Sequence, residues 1–140
     1  MASAPRPKLP VGRTVVIVED EFLVRDYATA LLEVLGFPIA DFPSGDAALD
    51  YLDRHASEVF VLFTDVRMPG SIDGVELARR VRASWPWIKI MISSGQVEAA
   101  DVGLPKDVQF FPKPWVPIEL LNALERLAET GAPVKRTPRH

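Results

Sequence analysis

The sequence predicts an α/β fold, a doubly wound five-stranded parallel sheet with helices on both faces. Two observations carry this. Short β-branched or aromatic runs alternate with stretches of helical spacing across residues 13–130. Two of the runs, Val15–Val18 (VVIV) and Val59–Phe63 (VFVLF), are apolar throughout, as strands covered on both faces must be. Strands alternating with helices imply right-handed crossovers, and so a parallel sheet.

The elements follow in order. After VVIV, the residues Val24, Ala28, Leu31, Leu32 and Leu35 form one apolar helix face, and Gly36 is its stop. Ile39–Phe42 is the second strand. Ser44 is placed to cap a helix carrying Ala48, Leu49 and Leu52. VFVLF is the third strand, and the following helix turns Leu77, Ala78 and Val81 inward and Glu76, Arg79 and Arg80 outward. The Trp85-Pro86-Trp87 corner fits helix-to-strand packing better than a partner patch. Ile88–Ile92 (IKIMI) and Val108–Phe111 are the last two strands. Between them, Gly103 and Pro105 leave only 96–101 for a fourth helix, which is therefore expected to be short and followed by an irregular segment. Leu120, Leu121, Leu124, Leu127 and Ala128 mark the final helix, and Gly131 with Pro133 ends it. Residues 1–12 and 131–140 lack periodicity and read as flexible tails. Their basic residues, Arg6, Lys8, Lys135, Arg136 and Arg139, fit solubilising termini better than binding arms.

Composition removes several function classes. At 140 residues, 48% hydrophobic and 25% charged, the chain suits one soluble domain with a full core. It has no cysteine, which excludes disulfides and thiol chemistry, and its two histidines, His55 and His140, leave little for a zinc cluster. A net charge of −3 argues against a nucleic-acid partner. No apolar run approaches signal-peptide or membrane-spanning length, so a cytoplasmic location is expected. Neither G-x-x-x-x-G-K nor G-x-G-x-x-G occurs, which leaves nucleotide binding unsupported.

In a parallel sheet the strands end at one edge, and ligands bind in the crevice beyond those carboxyl ends. Here that edge collects Glu19, Asp20 and Glu21 after the first strand, Asp65 after the third, Ser93-Ser94-Gly95 after the fourth and Lys113 after the fifth. Two like charges 4 Å apart repel by about 4 kcal/mol at an effective dielectric near 20. Lys113 alone does not neutralise Glu19, Asp20 and Asp65, so an acid takes up a proton or a cation is recruited. A hard ion such as Mg²⁺ suits an all-oxygen site. With it, Asp65 becomes a carboxylate nucleophile for a phosphoryl group whose other oxygens Lys113 and Ser93 can hold. Taken singly, each feature has a plainer reading: a favourable helix first turn, a turn residue, a loop serine, a surface lysine. Their conjunction at the ends of parallel strands is what points to a site.

With VVIVED, FTDVRMPGSIDGVEL, IMISSG and FFPKPW in this order, the chain resembles the receiver domain of bacterial two-component response regulators over roughly residues 13–130. The resemblance implies a flavodoxin-like receiver fold with strand order 2-1-3-4-5. It implies that Asp65 accepts a phosphoryl group from a sensor histidine kinase or a histidine phosphotransfer protein. Asp20, Asp65 and the backbone carbonyl of Arg67 match the Mg²⁺ ligands, and Glu19 the acid that assists through water. Ser93 matches the switch hydroxyl, Phe110 the switch aromatic, and Lys113 the lysine that contacts the phosphoryl group. The family's cis Lys-Pro bond is expected at Lys113–Pro114. Arg67 and Gly95 lie where the family tunes phosphoryl lifetime.

Three features stand out. Phe110 carries no hydroxyl, and core packing explains it as well as switching does. Arg67 can shield an acyl phosphate or form a surface ion pair. Ser71 or Ile72 lengthens the loop before Asp73-Gly74 by one residue. The expected function is a stand-alone phosphoacceptor that signals through protein contacts, with no enzyme activity beyond its own phosphoryl transfer and hydrolysis. The alternatives are a phosphorylation-independent adaptor and a Mg²⁺-dependent aspartyl-phosphate phosphatase. The second is disfavoured because Arg67 stands where haloacid-dehalogenase-type phosphatases need an acid.

Overall fold

Five parallel strands in the order β2-β1-β3-β4-β5 form the centre of the computed structural model, which describes residues 12–95 and 107–130. The strands are β1 (Thr14–Val18), β2 (Ile39–Phe42), β3 (Val59–Asp65), β4 (Lys89–Ser94) and β5 (Gln109–Pro112). The described helices are α1 (Phe22–Glu33), α2 (Gly45–His55), α3 (Gly74–Ser84) and α4 (Pro117–Thr130), with a 3₁₀ turn at Ala56–Glu58. The fold class and strand order are those expected. The short fourth-crossover helix expected at 96–101, its continuation to 106, and the terminal stretches 1–11 and 131–140 lie outside the described residues. Among the described residues, no helix is long and apolar enough to cross a membrane.

The pleat divides the core in two. Val16, Val18, Leu62, Ile90 and Ile92 face one way and pack with Ala48 and Leu52 of α2 and Leu77, Ala78 and Val81 of α3. Val15, Ile17, Val61, Phe63 and Met91 face the other way, against Ala28 and Leu32 of α1 and Leu120, Leu124 and Leu127 of α4. The helix faces read from the spacing are the buried ones. Trp85 and Trp87 also pack against the first cluster, and the Trp87 indole donates to the Ala56 carbonyl at 3.2 Å, so the corner serves packing.

Helix ends follow local chemistry. The Ser44 hydroxyl accepts from the Ala47 N–H at 3.1 Å, as its position predicts. Asp73 does the same for Glu76 N–H at 2.9 Å and starts α3. Gly36, at φ 84°, turns the chain out of α1.

Two strands are longer than their apolar runs. β3 continues through Thr64 and Asp65, and β4 through Ser93 and Ser94. The ladder continues because Asp65 pairs with Ser93, and the Val66 N–H donates to the Ser93 carbonyl at 2.9 Å. Hydropathy marks where the apolar side chains end and is blind to backbone pairing. Thr64, Ser93 and Ser94 are nevertheless buried, so the sheet carries polar groups into the protein just below its edge.

After β3 the chain folds back so tightly that the Gly74 N–H donates to the Val66 carbonyl at 2.8 Å. A Cβ on Gly74 would overlap the backbone carbonyl of Asp65, whereas one on Gly95 meets nothing within 4 Å. Gly74→Ala is therefore expected to destabilise the fold by roughly 2–3 kcal/mol, and Gly95→Ala to stay within about 0.5 kcal/mol of the parent. Urea unfolding of the two variants checks this contrast.

Candidate functional site

Side chains alternate with a period of two along a strand, so residues two positions beyond a core residue stand on the same face. Two positions beyond Ile17, Phe63, Met91 and Phe111, all of the α1/α4 cluster, come Glu19, Asp65, Ser93 and Lys113. The apolar rows thus run out at the sheet edge into a polar row on the same face. Strand parity, with the parallel register, assembles the site from four distant segments.

Asp65 occupies the last position of β3. Its Oδ1 accepts from the Val66 N–H at 3.0 Å and lies 3.5 Å from Lys113 Nζ. Lys113 also donates to Glu19 Oε1 at 3.1 Å, and so lies between the two carboxylates. Glu19 is 3% exposed, and its Oε2 accepts from the Glu21 N–H at 3.1 Å. The lysine begins from a backbone bond of its N–H to the Ser94 carbonyl at 3.0 Å, and the Lys113–Pro114 peptide is cis. Asp20, beside Glu19, is exposed. Carboxylate oxygens of Glu19, Asp20 and Asp65 all lie within 4.8 Å of one another.

Electrostatics follow from this crowding. Burial pushes the Asp65 carboxyl up to about 6; Lys113 opposes that shift, and the neighbouring Glu19 charge adds to it. For Lys113, burial disfavours the charged form, but the bond to Glu19 and the charge of Asp65 prevail and raise its pKa. The edge therefore carries more negative charge than its lysine offsets. An all-oxygen donor set with surplus charge fits a hard divalent cation such as Mg²⁺.

The remaining positions divide. Ser93 is buried, and its Oγ accepts from the Trp115 indole N–H at 2.6 Å. Arg67 and Gly95 are exposed in the loops that follow β3 and β4. Phe110 is not brought to the carboxylates. It pairs with Ile92 and packs against the α2/α3 cluster, on the opposite face from Ser93. The sequence assigns no role to two contributors. Arg25 donates to the Glu19 carbonyl at 2.8 Å and to Asp41 Oδ2 at 3.2 Å, tying the acidic loop to β2. Trp115 has one signal only, its place two residues beyond Lys113.

The raised Asp65 pKa has a definite consequence for stability without divalent metal. The fold holds this proton more tightly than the unfolded chain, whose aspartates titrate near 3.9. Asp65 therefore disfavours the fold increasingly as pH rises from about 4 to about 6. Above that window the penalty is complete, about 2–3 kcal/mol. In EDTA, Asp65→Asn is expected to be more stable than the parent by this amount at pH 7.5. The difference should close towards pH 4. Paired denaturation curves across that range measure it, and a constant difference would refute the assignment.

The profile of the response regulator receiver domain family matches residues 15–125. The chain is 30% identical over 118 residues to the response regulator receiver protein CpdR of Brucella abortus (strain 2308), covering 82% of this chain and 96% of that protein. It is 34% identical over 119 residues to the sensor kinase CckA of the same organism, 83% of this chain but only 12% of the kinase. Among solved structures, a response regulator receiver protein from Sinorhizobium medicae WSM419 superposes with a TM-score of 0.76 at 27% identity, covering 87% of this chain and 98% of that one. With the strand order and the acidic edge, these matches place the chain in the response regulator receiver domain family of two-component signalling.

Proposed function

We propose that this receiver domain, taken as residues 13–130, is a phosphoacceptor. Asp65 takes a phosphoryl group from a phosphohistidine on a sensor histidine kinase or a histidine phosphotransfer protein, and the domain then signals through protein contacts. The observation that carries the reading is the convergence of Glu19, Asp20 and Asp65 within 4.8 Å, with Lys113 reaching two of them. A receiver serving only as an adaptor has no need of surplus buried charge, which destabilises the fold.

The chemistry assigns each group a task. An Asp65 carboxylate oxygen forms the bond to phosphorus as the phosphorus–nitrogen bond breaks and the imidazole leaves. Val66 N–H and Lys113 fix the carboxylate through Oδ1, so the attacking group is oriented before the donor arrives. Lys113 Nζ and the Ser93 hydroxyl are the donors for the transferred group's outer oxygens. Glu19, Asp20, Asp65 and the Arg67 carbonyl would hold Mg²⁺. When bound, Mg²⁺ offsets the charge that builds on the phosphoryl oxygens. Arg67 and Gly95 flank the opening, where they govern the access of water to the acyl phosphate.

The partner surface is proposed beside this opening. Phe22, Leu23 and Tyr27 of α1 and Val116 and Ile118 at the start of α4 are large apolar side chains left exposed. Leu23, Val24, Tyr27, Lys113, Pro114 and Trp115 line a groove of about 560 Å³. Its position next to Lys113 suits a helix presenting a phosphohistidine to Asp65. Such exchange places the domain in the cytoplasm, acting as a phosphorelay carrier, a phosphate sink or a contact regulator.

Intact-mass spectrometry after incubation with Mg²⁺ and acetyl phosphate tests the reading. One phosphoryl adduct is expected, absent without metal and absent in Asp65→Asn. If acetyl phosphate gives no adduct and beryllofluoride with Mg²⁺ does not bind either, the adaptor function takes its place.

A further inference from the structure

Trp115 joins the Ser93 hydroxyl to the apolar groove. Its indole N–H donates to Ser93 Oγ at 2.6 Å, short for a neutral N–H···O bond. The ring is held by two aromatic neighbours. Phe63, in the buried α1/α4 cluster, lies 5.4 Å away with planes inclined by 52°. Tyr27, half exposed on α1, stacks almost parallel at 6.0 Å. Trp115 also lines the 560 Å³ groove and a second cavity of about 10 Å³ shared with Asp65 and Ser93. One ring therefore borders both the phosphoacceptor pocket and the partner surface.

We propose that Trp115 is a positioning residue that latches the Ser93 hydroxyl in its unphosphorylated rotamer, and that phosphorylation of Asp65 releases the latch and moves the Trp115–Tyr27 stack at the groove. The proposal rests on Asp65 being the phosphoacceptor. Serine χ1 has three staggered wells about 120° apart, so a hydroxyl that turns to a phosphoryl oxygen leaves the indole's reach. A buried indole N–H without a partner is costly, and the open groove that Trp115 lines offers it water. The ring is drawn that way and takes Tyr27 with it. Phe110 faces the other cluster, so this route to the surface is separate from any that Phe110 provides.

The test uses ¹H–¹⁵N NMR of the full 140-residue chain, in Mg²⁺, with beryllofluoride as the phosphoryl mimic. The Trp115 indole resonance is identified by its loss in Trp115→Phe, which keeps an aromatic ring but has no N–H. On adding beryllofluoride to the parent, this resonance should shift and exchange faster with solvent. Trp115→Phe need not break the latch, so it should bind beryllofluoride about fivefold more tightly, the worth of one neutral hydrogen bond. Binding that leaves the indole resonance unmoved, or equal or weaker binding by a folded Trp115→Phe, overturns the latch and leaves the phosphoacceptor reading intact. Failure of the parent itself to bind defeats both. Should Trp115→Phe not fold, Ser93→Ala decides. Its indole resonance, identified by difference from the parent spectrum, should already exchange fast without beryllofluoride, and slow exchange there overturns the proposal.

Discussion

Glu19, Asp20 and Asp65 are brought within 4.8 Å at one sheet edge, with Lys113 bridging Glu19 and Asp65, and most of the structure around them answers to that crowding. Like charges this close and half out of water repel strongly, and no arrangement of one lysine removes the excess. The backbone is correspondingly constrained. Asp65 stays in the ladder opposite Ser93, the Val66 N–H holds its carboxylate, and Arg25 pins the Glu19 carbonyl against β2. Gly74 lets α3 begin close against the end of β3. The cost of the charge is borne by a sheet whose centre is wholly buried.

The period-two alternation explains why such a site is cheap to specify. Strands that bury Ile17, Phe63, Met91 and Phe111 on the α1/α4 face need only continue two residues to aim Glu19, Asp65, Ser93 and Lys113 the same way. A one-residue slip of any strand would send its functional side chain to the α2/α3 face and its core residue with it. The packing and the polar row at the edge therefore require the same register. Phe110 is the counterexample that makes the rule visible: one residue before Phe111, it belongs to the other face and the other cluster.

Much of this was legible in the sequence because it depends on local pattern. The apolar runs locate all five strands, Gly36 and Ser44 mark helix ends by backbone chemistry, and the acidic, hydroxyl and lysine positions fall at strand ends by order alone. What was hidden depends on pairing across the fold. The polar ends of β3 and β4 carry no hydropathy signal, since Thr64, Ser93 and Ser94 are buried by neighbours distant in sequence. Arg25 resembles any helix-surface arginine until β2 brings Asp41 beside it. Trp115 closes the FFPKPW run with no role of its own; only the meeting of β4 with the chain after β5 gives its N–H a serine to bind.

The exposed apolar side chains acquire a meaning from where they lie. Scattered surface leucines and valines need no explanation, but Phe22, Leu23, Tyr27, Val116 and Ile118 gather in the first two turns of α1 and around the start of α4, next to the edge that holds Lys113. These turns follow β1 and β5 directly, so their positions are fixed by the same loops that place Glu19 and Lys113. The proposed charge change at Asp65 would act on groups that share those loops. The ring of Trp115, with Ser93 at its N–H, Phe63 beneath and Tyr27 at its face, is the shortest packed connection between the two. The proposed partner surface and the proposed phosphoacceptor are therefore neighbours in this fold for a geometric reason: both are built on the carboxyl ends of its strands.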